Sequence, residues 1–394
     1  MKPISPKIPT IAITGSAGKS TTREFVYSIL KRKWKRILST KHNRNLPSHT
    51  KNYAKKINAS HKAVVLEMGL GRAPGKRHFR YIKPNISVIT NIGTAHYGKL
   101  GNSIQSIAKS KSALIKYMQP KGTLLINKDD KNSKLLQTRN FKGKKITVGI
   151  QNIADYRATN IKYRNNGMSF EVKLNRKREN FFIPAFGDHN VINALFAIAI
   201  AHRLNFSPKD IRSGLKKCKL PSRRLQVIPL TNQSLLIDDS FNANPQSVKA
   251  AVDVLVKLGK KKKIIVLGSM LELGKHSSKG HEEVGRYLAK NNVDTIYTYG
   301  KKAKKIGKAA IKHGFPSAKV HSFTERSKLH KKLKKICKSN MTILVKGSHR
   351  MKMKVTSEFV AVHYLRFSPK WPSIKARLKN SEPGSRRGAS NPLK

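Results

Sequence analysis

Two successive α/β units, the first a P-loop ATPase-like domain with a mostly parallel sheet and the second Rossmann-like, are what this sequence of 394 residues predicts. Three observations lead there. Apolar runs of strand length alternate with amphipathic stretches of helix length through the first half, the order of a parallel sheet covered by helices. A glycine and lysine loop, TGSAGKST (14–21), stands between the first strand and the first helix. A second alternation begins after KCKLPSRRLQ (217–226), where proline and clustered charge suggest a boundary. The expected division is therefore 1–220, 221–365 and a tail over 366–394.

Taken in order, IPTIAIT (8–14) predicts a strand and 19–31 the helix after it. KAVVLEMG (62–69) and NISVITNIG (85–93) predict two more buried strands, each closing on polar residues and glycine. Ligands of open α/β sheets collect at those carboxyl ends. A helical pattern covers 103–118, GTLLIN (122–127) predicts a strand, and 145–184 alternates like an antiparallel β excursion. A long apolar helix is expected over 191–203. In the second unit SLLIDDS (234–240), KIIVLGS (263–269), DTIYTYG (294–300) and MTILVKG (341–347) predict strands with helices between them. Beyond Tyr364 the pattern dissolves into residues rich in Pro, Ser, Gly and basic side chains, which predicts a disordered basic tail.

Composition narrows the classes. Hydrophobic residues make up 38%, enough for packed cores and well above a disordered chain. Cys218 and Cys337 are too few for a disulfide framework, and neither has a CxxC partner. MKPISPKIPT lacks the apolar core of a signal peptide, and no later run approaches the roughly 18 apolar residues of a membrane helix. The cytoplasm is the expected location. Against 19 acids stand 83 Lys and Arg, a net +64 spread along the whole chain. A nucleic acid or an anionic membrane surface is one reading of that charge, and a lineage biased toward lysine is the other. With no zinc finger, RRM or KH signature, the polyanion partner is not favoured.

The loop at 14–21 carries the sharpest chemistry. Gly15 and Gly18 let the backbone N–H groups of Ser16, Ala17 and their neighbours turn inward around a phosphate, and the helix N-terminus adds its dipole. Lys19 supplies a point charge, and Ser20 or Thr21 can ligate Mg²⁺. The pattern is the shorter GxxGK[ST], since Ile13 stands where the longer form has glycine. As a bare string it is weak; its place between a strand and a helix points to ATP. Glu67 ends a buried strand, an expensive position for a carboxylate unless it meets a cation.

Beyond the loop, LEMGLG, TNIGTAHYGKLGN, AKSKSALI, LINKDD, FGDHNVINAL, IDDSFNANPQSVKAA, VLGSMLELG and LVKGSHRMKM occur in one order from about 11 to 360. In these segments the chain resembles the Mur ligase superfamily, most closely the branch that adds D-alanyl-D-alanine to a peptidoglycan precursor. The resemblance implies an ATP-dependent ligase that activates a carboxylate as an acyl phosphate and joins it to an amine, with two Mg²⁺ ions. It further implies that Glu67, His96 and a carbamylated Lys111 hold the metals, although Lys109 beside Lys111 leaves the register open. Asn190 and Asn193 would reach the nucleotide, Arg224 the phosphates and Asp239 the ribose, with Asn242 and Asn244 flanking. Read from the residues alone, His96 and Lys111 are ordinary surface side chains, Asp188 is a helix cap for 189–193, and Asp239 with its asparagines a turn after a strand.

Because nucleotide contacts come from both units, domain closure on ATP is expected. Three departures touch the substrates. Peptidoglycan-building members carry an N-terminal domain for the uridine nucleotide, whereas here the loop begins almost at once; a different mode of binding, a separate UDP-substrate-binding chain or a substrate without UDP would each account for this. HNRNLPSH (42–49) keeps Asn43 and Asn45 but not the full NxNNxxG pattern. Ser269 stands for an expected acid and His349 for an expected arginine, with Arg350 next to it, where the incoming amine is recognised. An amide ligase with another acceptor, or an idle polyanion-binding scaffold, are the competing readings.

Overall fold

The structure, a computed structural model, describes residues 3–71, 75–231, 233–259, 261–336 and 340–365. The expected tail over 366–394 and Cys337 lie outside the described residues. In chain order the elements of the first unit are β1 (Thr10–Thr14), α1 (Lys19–Leu30), β2 (Ile37–Ser39), α2 (Pro47–Ala54), β3 (Ala63–Glu67), β4 (Ile86–Ile89), α3 (Ile104–Tyr117), β5 (Thr123–Asn127), β6 (Lys144–Gly149), β7 (Tyr156–Arg164), β8 (Gly167–Leu174), β9 (Lys177–Ile183), α4 (Asp188–Arg203) and α5 (Pro208–Lys216). The second contains β10 (Gln226–Pro229), β11 (Leu235–Asp239), α6 (Pro245–Leu258), β12 (Lys262–Gly268), α7 (Ser277–Ala289), β13 (Thr295–Tyr299), α8 (Lys304–Lys312), β14 (Val320–Phe323), α9 (Arg326–Ile336), β15 (Met341–Lys346) and α10 (Lys354–Leu365).

The first sheet has the order β2-β3-β1-β4-β5-β6-β7-β8-β9 and the second β10-β11-β15-β12-β13-β14. Strand β1 is the hinge of the first: it pairs in parallel with β3 on one side and β4 on the other. Ile13 lies opposite Glu67 and Thr14 opposite Ile89, so the three strands end together and the chain leaves β1 at the crevice where strand order reverses. All five residues of β1 and of β3 are buried, as runs covered on both faces must be.

Two expectations need correction. Strand β6 pairs in parallel with β5, and the antiparallel excursion starts only at β7 and continues through β8 and β9. Residues alternate in the same way on a half-covered parallel strand and on a hairpin, so period alone does not separate them. Helix α4 begins at Asp188 rather than after it: Gly187 is the cap, at φ 92°, and no side chain caps the helix. That left-handed backbone suits glycine and relieves Asp188 of a capping role.

Helix α4 is buried without interruption from Asn190 to Ala201, so it is an internal helix rather than an amphipathic cover. It packs with α1 through Phe25, Val26, Ile29 and Leu30, and shares one apolar cluster with Val252 and Leu255 of α6. Helix α5 closes on α1 because Gly214 is bare: a Cβ there would lie 2.5 Å from the Cα of Ile29, while Ser28 Oγ donates to the Gly214 carbonyl at 2.7 Å. The core thus fixes α1 and α4 against each other and aims both N-termini at the loop after β1.

Candidate active site

The loop that leaves β1 is held tightly. Gly15 (φ 149°) passes so close to Thr90 that a Cβ would collide with its hydroxyl oxygen, and Gly18 (φ 81°) does the same against the Asn193 carboxamide. Neither position accepts a side chain. Ser16 Oγ donates to the Gly93 carbonyl at 2.9 Å and accepts from Gly93 N–H at 2.8 Å, while Thr90 Oγ1 donates to the Ala17 carbonyl. The inward amides of Ser16 and Ala17 donate to Asn91 Oδ1 at 3.0 and 2.9 Å. A single amide oxygen therefore fills the hydrogen-bonding cradle that an anion's oxygen would use.

At the ends of β1 and β3, Ser20 Oγ donates to Glu67 Oε2 at 2.8 Å, and Asn45 Nδ2 donates to Glu67 Oε1 at 2.8 Å. Glu67 is 2% exposed and has both oxygens engaged. Its backbone N–H donates to Thr40 Oγ1 at 2.9 Å, and buried Arg23 holds the Thr40 carbonyl and Glu24. Thr21 is buried beside them without entering the pair. Asn45 supplies a reason for the asparagine-rich loop before α2: it clasps the Glu67 carboxylate.

Lysines converge on the same place. Lys19 Nζ donates to the Gly15 carbonyl at 2.7 Å. Burial holds its ammonium below the usual lysine range, opposed by Glu67 and reinforced by Arg224. On α3, Lys111 is buried at 2% exposure and makes no hydrogen bond among the described residues, whereas Lys109 is exposed. Burial, and after it the charge of Lys19, push Lys111 down to about 7. Of the two lysines, Lys111 is therefore the interior one. From α4, Asn193 Oδ1 accepts from Thr22 Oγ1 at 3.2 Å and its Nδ2 donates to Asn190 Oδ1 at 3.1 Å, with Asn190 anchored on the Phe186 carbonyl.

The second unit closes over these groups. Arg224 Nη2 donates to Ser20 Oγ at 3.2 Å, and its guanidinium lies 4.4 Å above the Phe241 ring. Burial holds its guanidinium below the usual arginine range, with Glu67 and Asp239 opposing. Asp239 accepts from Leu225 N–H at 3.2 Å and from buried Lys346, whose Nζ also donates to the Asn242 carbonyl at 2.9 Å. Burial raises the Asp239 carboxyl while Lys346 pulls it back. The Asn242 side chain is exposed, its Oδ1 taking the Ala243 N–H, and Asn244 is the cap of α6, bonded to Ser247 N–H at 2.9 Å. Alongside runs a cavity of about 440 Å³ whose lining includes Phe186, Pro221, Arg224, Leu225 and Leu258.

Comparison with known proteins gives this arrangement its context. Residues 13–201 match the Mur ligase middle domain, and 223–349 match the domain described as Mur ligase, glutamate ligase domain. The chain is 33% identical over 349 residues to the UDP-N-acetylmuramoyl-tripeptide--D-alanyl-D-alanine ligase of Bacillus subtilis, covering 87% of this chain and 74% of that one. It belongs to the Mur ligase family. Its Escherichia coli relative of the same name is 29% identical over 87% of this chain and 75% of its own length. The crystal structure of MurF from Acinetobacter baumannii superposes with a TM-score of 0.81 at 28% identity, covering 90% of this chain and 76% of that one. A pseudomurein peptide ligase type C from Methanothermus fervidus shares the fold at a TM-score of 0.70 and 19% identity, over 90% of this chain and 78% of its own.

Within this Mur ligase chain the expected residues fall into groups. Ser20 bonds both Glu67 and Arg224, and Lys19 and Lys111 share their field. His96 lies at the rim, at φ 59°, with its Nδ1 2.7 Å from Glu272 Oε2. Among the described residues no cluster of three His, Cys, Asp or Glu side chains is poised for a metal, so Glu67 is the carboxylate contribution at the centre. Three participants were not anticipated: Asn91, Lys346 and Glu272. Each sits directly after a predicted strand or in a glycine-flanked segment quoted for the resemblance, which is the signal that marks them. Of the departures, Ser269 is buried and accepts Ala303 N–H at 3.1 Å, while His349 is exposed and meets Phe241 edge-on at 5.5 Å between centroids.

Proposed function

We propose that this chain activates a carboxylate with ATP and joins it to an amine, using the substrates in its relatives' names: a UDP-N-acetylmuramoyl-tripeptide as the carboxylate and D-alanyl-D-alanine as the amine. The observation that carries this reading is the gathering of cations, half-buried Lys19 and Arg224 and buried Lys111, at the strand ends where Glu67 is held by Ser20 and Asn45. Buried cations without matching acids are costly, and a polyphosphate is the partner that repays them.

In this reading Asn91 yields the amides of Ser16 and Ala17 to the nucleotide's phosphates, and Lys19 turns from the Gly15 carbonyl to the γ-phosphate. The cavity beside Leu225 and Phe186 receives the base. Arg224 and Lys19 offset the like-charge repulsion as a carboxylate oxygen attacks the γ-phosphorus and the bond to the β-phosphate breaks, releasing ADP. The uncharged amine then attacks the acyl carbon, phosphate leaves, the surplus amine proton passes to solvent, and an amide remains. The hard oxygens of Ser20 and Glu67 suit Mg²⁺, and His96 with a carbamylated Lys111 would hold a second ion; these ions supply charge neutralisation at the phosphate oxygens. Lys111 is suited to carbamylation because it is buried and lacks an acid partner: the neutral amine adds CO₂, a proton leaves, and a cation becomes a carboxylate-like donor beside Lys19. In this reading the reaction runs in the cytoplasm.

Phosphate release measured with the UDP-linked tripeptide and a panel of amines, with mass spectrometry of the product, tests the proposal. Amide formation with D-alanyl-D-alanine is expected; ATP turnover that no carboxylate and amine pair stimulates would sink it. A second reading, the same chemistry with another amine, is favoured by His349 at the acceptor side, and a different winner in the panel would establish it.

A further inference from the structure

Between the two units lies a clasp that the chemistry above does not use. The turn at 271–276 of the second unit grips the loop at 96–102 of the first. Glu272, at φ 71°, places Oε2 2.7 Å from His96 Nδ1 and Oε1 3.2 Å from Lys99 Nζ. The Glu272 carbonyl accepts from Gly98 N–H at 3.2 Å, and Asn102 Oδ1 accepts from Lys275 N–H at 3.2 Å. The backbones nearly touch: a Cβ on Gly98 would lie 2.7 Å from the Cα of Gly274. Tyr97 packs on His276 with ring centroids 5.1 Å apart. On its other side the His96 ring presses on Gly71, where a Cβ would lie 2.8 Å from Cδ2. Gly71 follows Leu70, whose carbonyl accepts from Ser110 Oγ at 2.9 Å next to Lys111 on α3.

We propose that Glu272 is a positioning residue: its carboxylate accepts a hydrogen bond from Nδ1–H of His96, turns Nε2 away from the interface, and so orients His96 only while the two units are docked. A carboxylate on the outer nitrogen of a metal-side histidine fixes the ring and its tautomer, and losing such a partner typically costs 10–100-fold in metal affinity or activity. Because Glu272 belongs to one unit and His96 to the other, the orientation of the ring reports docking. The inference rests on reading His96 as a metal-side group, yet the clasp itself is measurable without turnover.

Two variants and two readouts test it. Glu272→Gln keeps the shape and removes the charge; Gly98→Ala wedges the backbones apart while leaving both side chains in place. In ligand-free protein labelled with ¹⁵N-histidine, His96 should show a protonated Nδ1 and a bare Nε2 in the wild type, and lose that signature in both variants. Calorimetric binding of ADP across a Mg²⁺ series should show the Mg²⁺ midpoint raised at least tenfold in Glu272→Gln, and His96→Asn should add less than twofold on top. An unchanged His96 spectrum in both variants would overturn the clasp, as would independent, multiplicative effects of Glu272→Gln and His96→Asn. Absence of ADP binding in the wild type would instead count against the ligase reading, and the histidine spectrum would still decide the clasp.

Discussion

The two parallel sheets place charge at their carboxyl ends in opposite ways. Behind β11 and β15 the acid and base are matched: Asp239 meets Lys346, both buried, and Lys346 is further satisfied by the Asn242 carbonyl. Behind β1, β3 and beside α3 the charge is unmatched, with Lys19 and Lys111 depressed by burial and Lys111 left without a hydrogen bond among the described residues. A self-contained pair makes a rigid rim, whereas an uncompensated field is a standing demand for an anion. The difference teaches which end does chemistry and which end holds shape, although both stand on the same architecture.

That contrast can be broken at either end. Lys346→Met should be the costliest change, about 3–5 kcal/mol in urea unfolding, because it strands Asp239 in the interior; a loss under 1 kcal/mol would show that the pair is not structural. Next, Lys19→Ala should leave the unfolding midpoint within experimental error and lower ADP release by at least about 10²-fold, the scale for removing one preorganised charge from a transition state. Unchanged turnover would remove the first site from the mechanism.

Acid should act on the support rather than on the pair. His78, buried under the loop after β3 with Nδ1 2.7 Å from Thr50 Oγ1, is held down at about 4 chiefly by burial. Unfolding lets it return to the ordinary range near 6.5, so the unfolded chain binds the extra proton. Stability is full above that value and falls as pH drops from about 6.5 to about 4, by roughly 3 kcal/mol for this group. His78→Gln should flatten that part of the stability curve, and an unaltered slope would show that another group sets it. Smallest is Lys111→Met: removing an unpartnered buried cation should leave stability unchanged or about 1 kcal/mol higher while abolishing turnover, the reverse of Lys346→Met. A destabilisation comparable to that of Lys346→Met would erase the contrast between the two ends.

Local pattern and chemistry were enough to read the glycine turn at 15–18, the strands that end at Thr14 and Glu67, and the second alternation with Asp239 at a strand end. Each is written in a few consecutive residues whose period, turn glycines and terminal polarity agree. The interior helix at 190–201 was legible as apolar, but its start was not, since Gly187 and not the better capping residue Asp188 holds the entry. Only the tertiary structure told Lys111 from Lys109, because two lysines two positions apart on a helix differ solely in which face meets the core. It alone brought Asn45 to Glu67, Asn91 into the anion cradle, Lys346 to Asp239 and Glu272 to His96, pairs 22 to 176 positions apart or seated in loops. Sequence determines what each strand end offers; which offers meet is fixed by strand order and by the docking of one sheet's loops on the other's, quantities that no local stretch of chain contains.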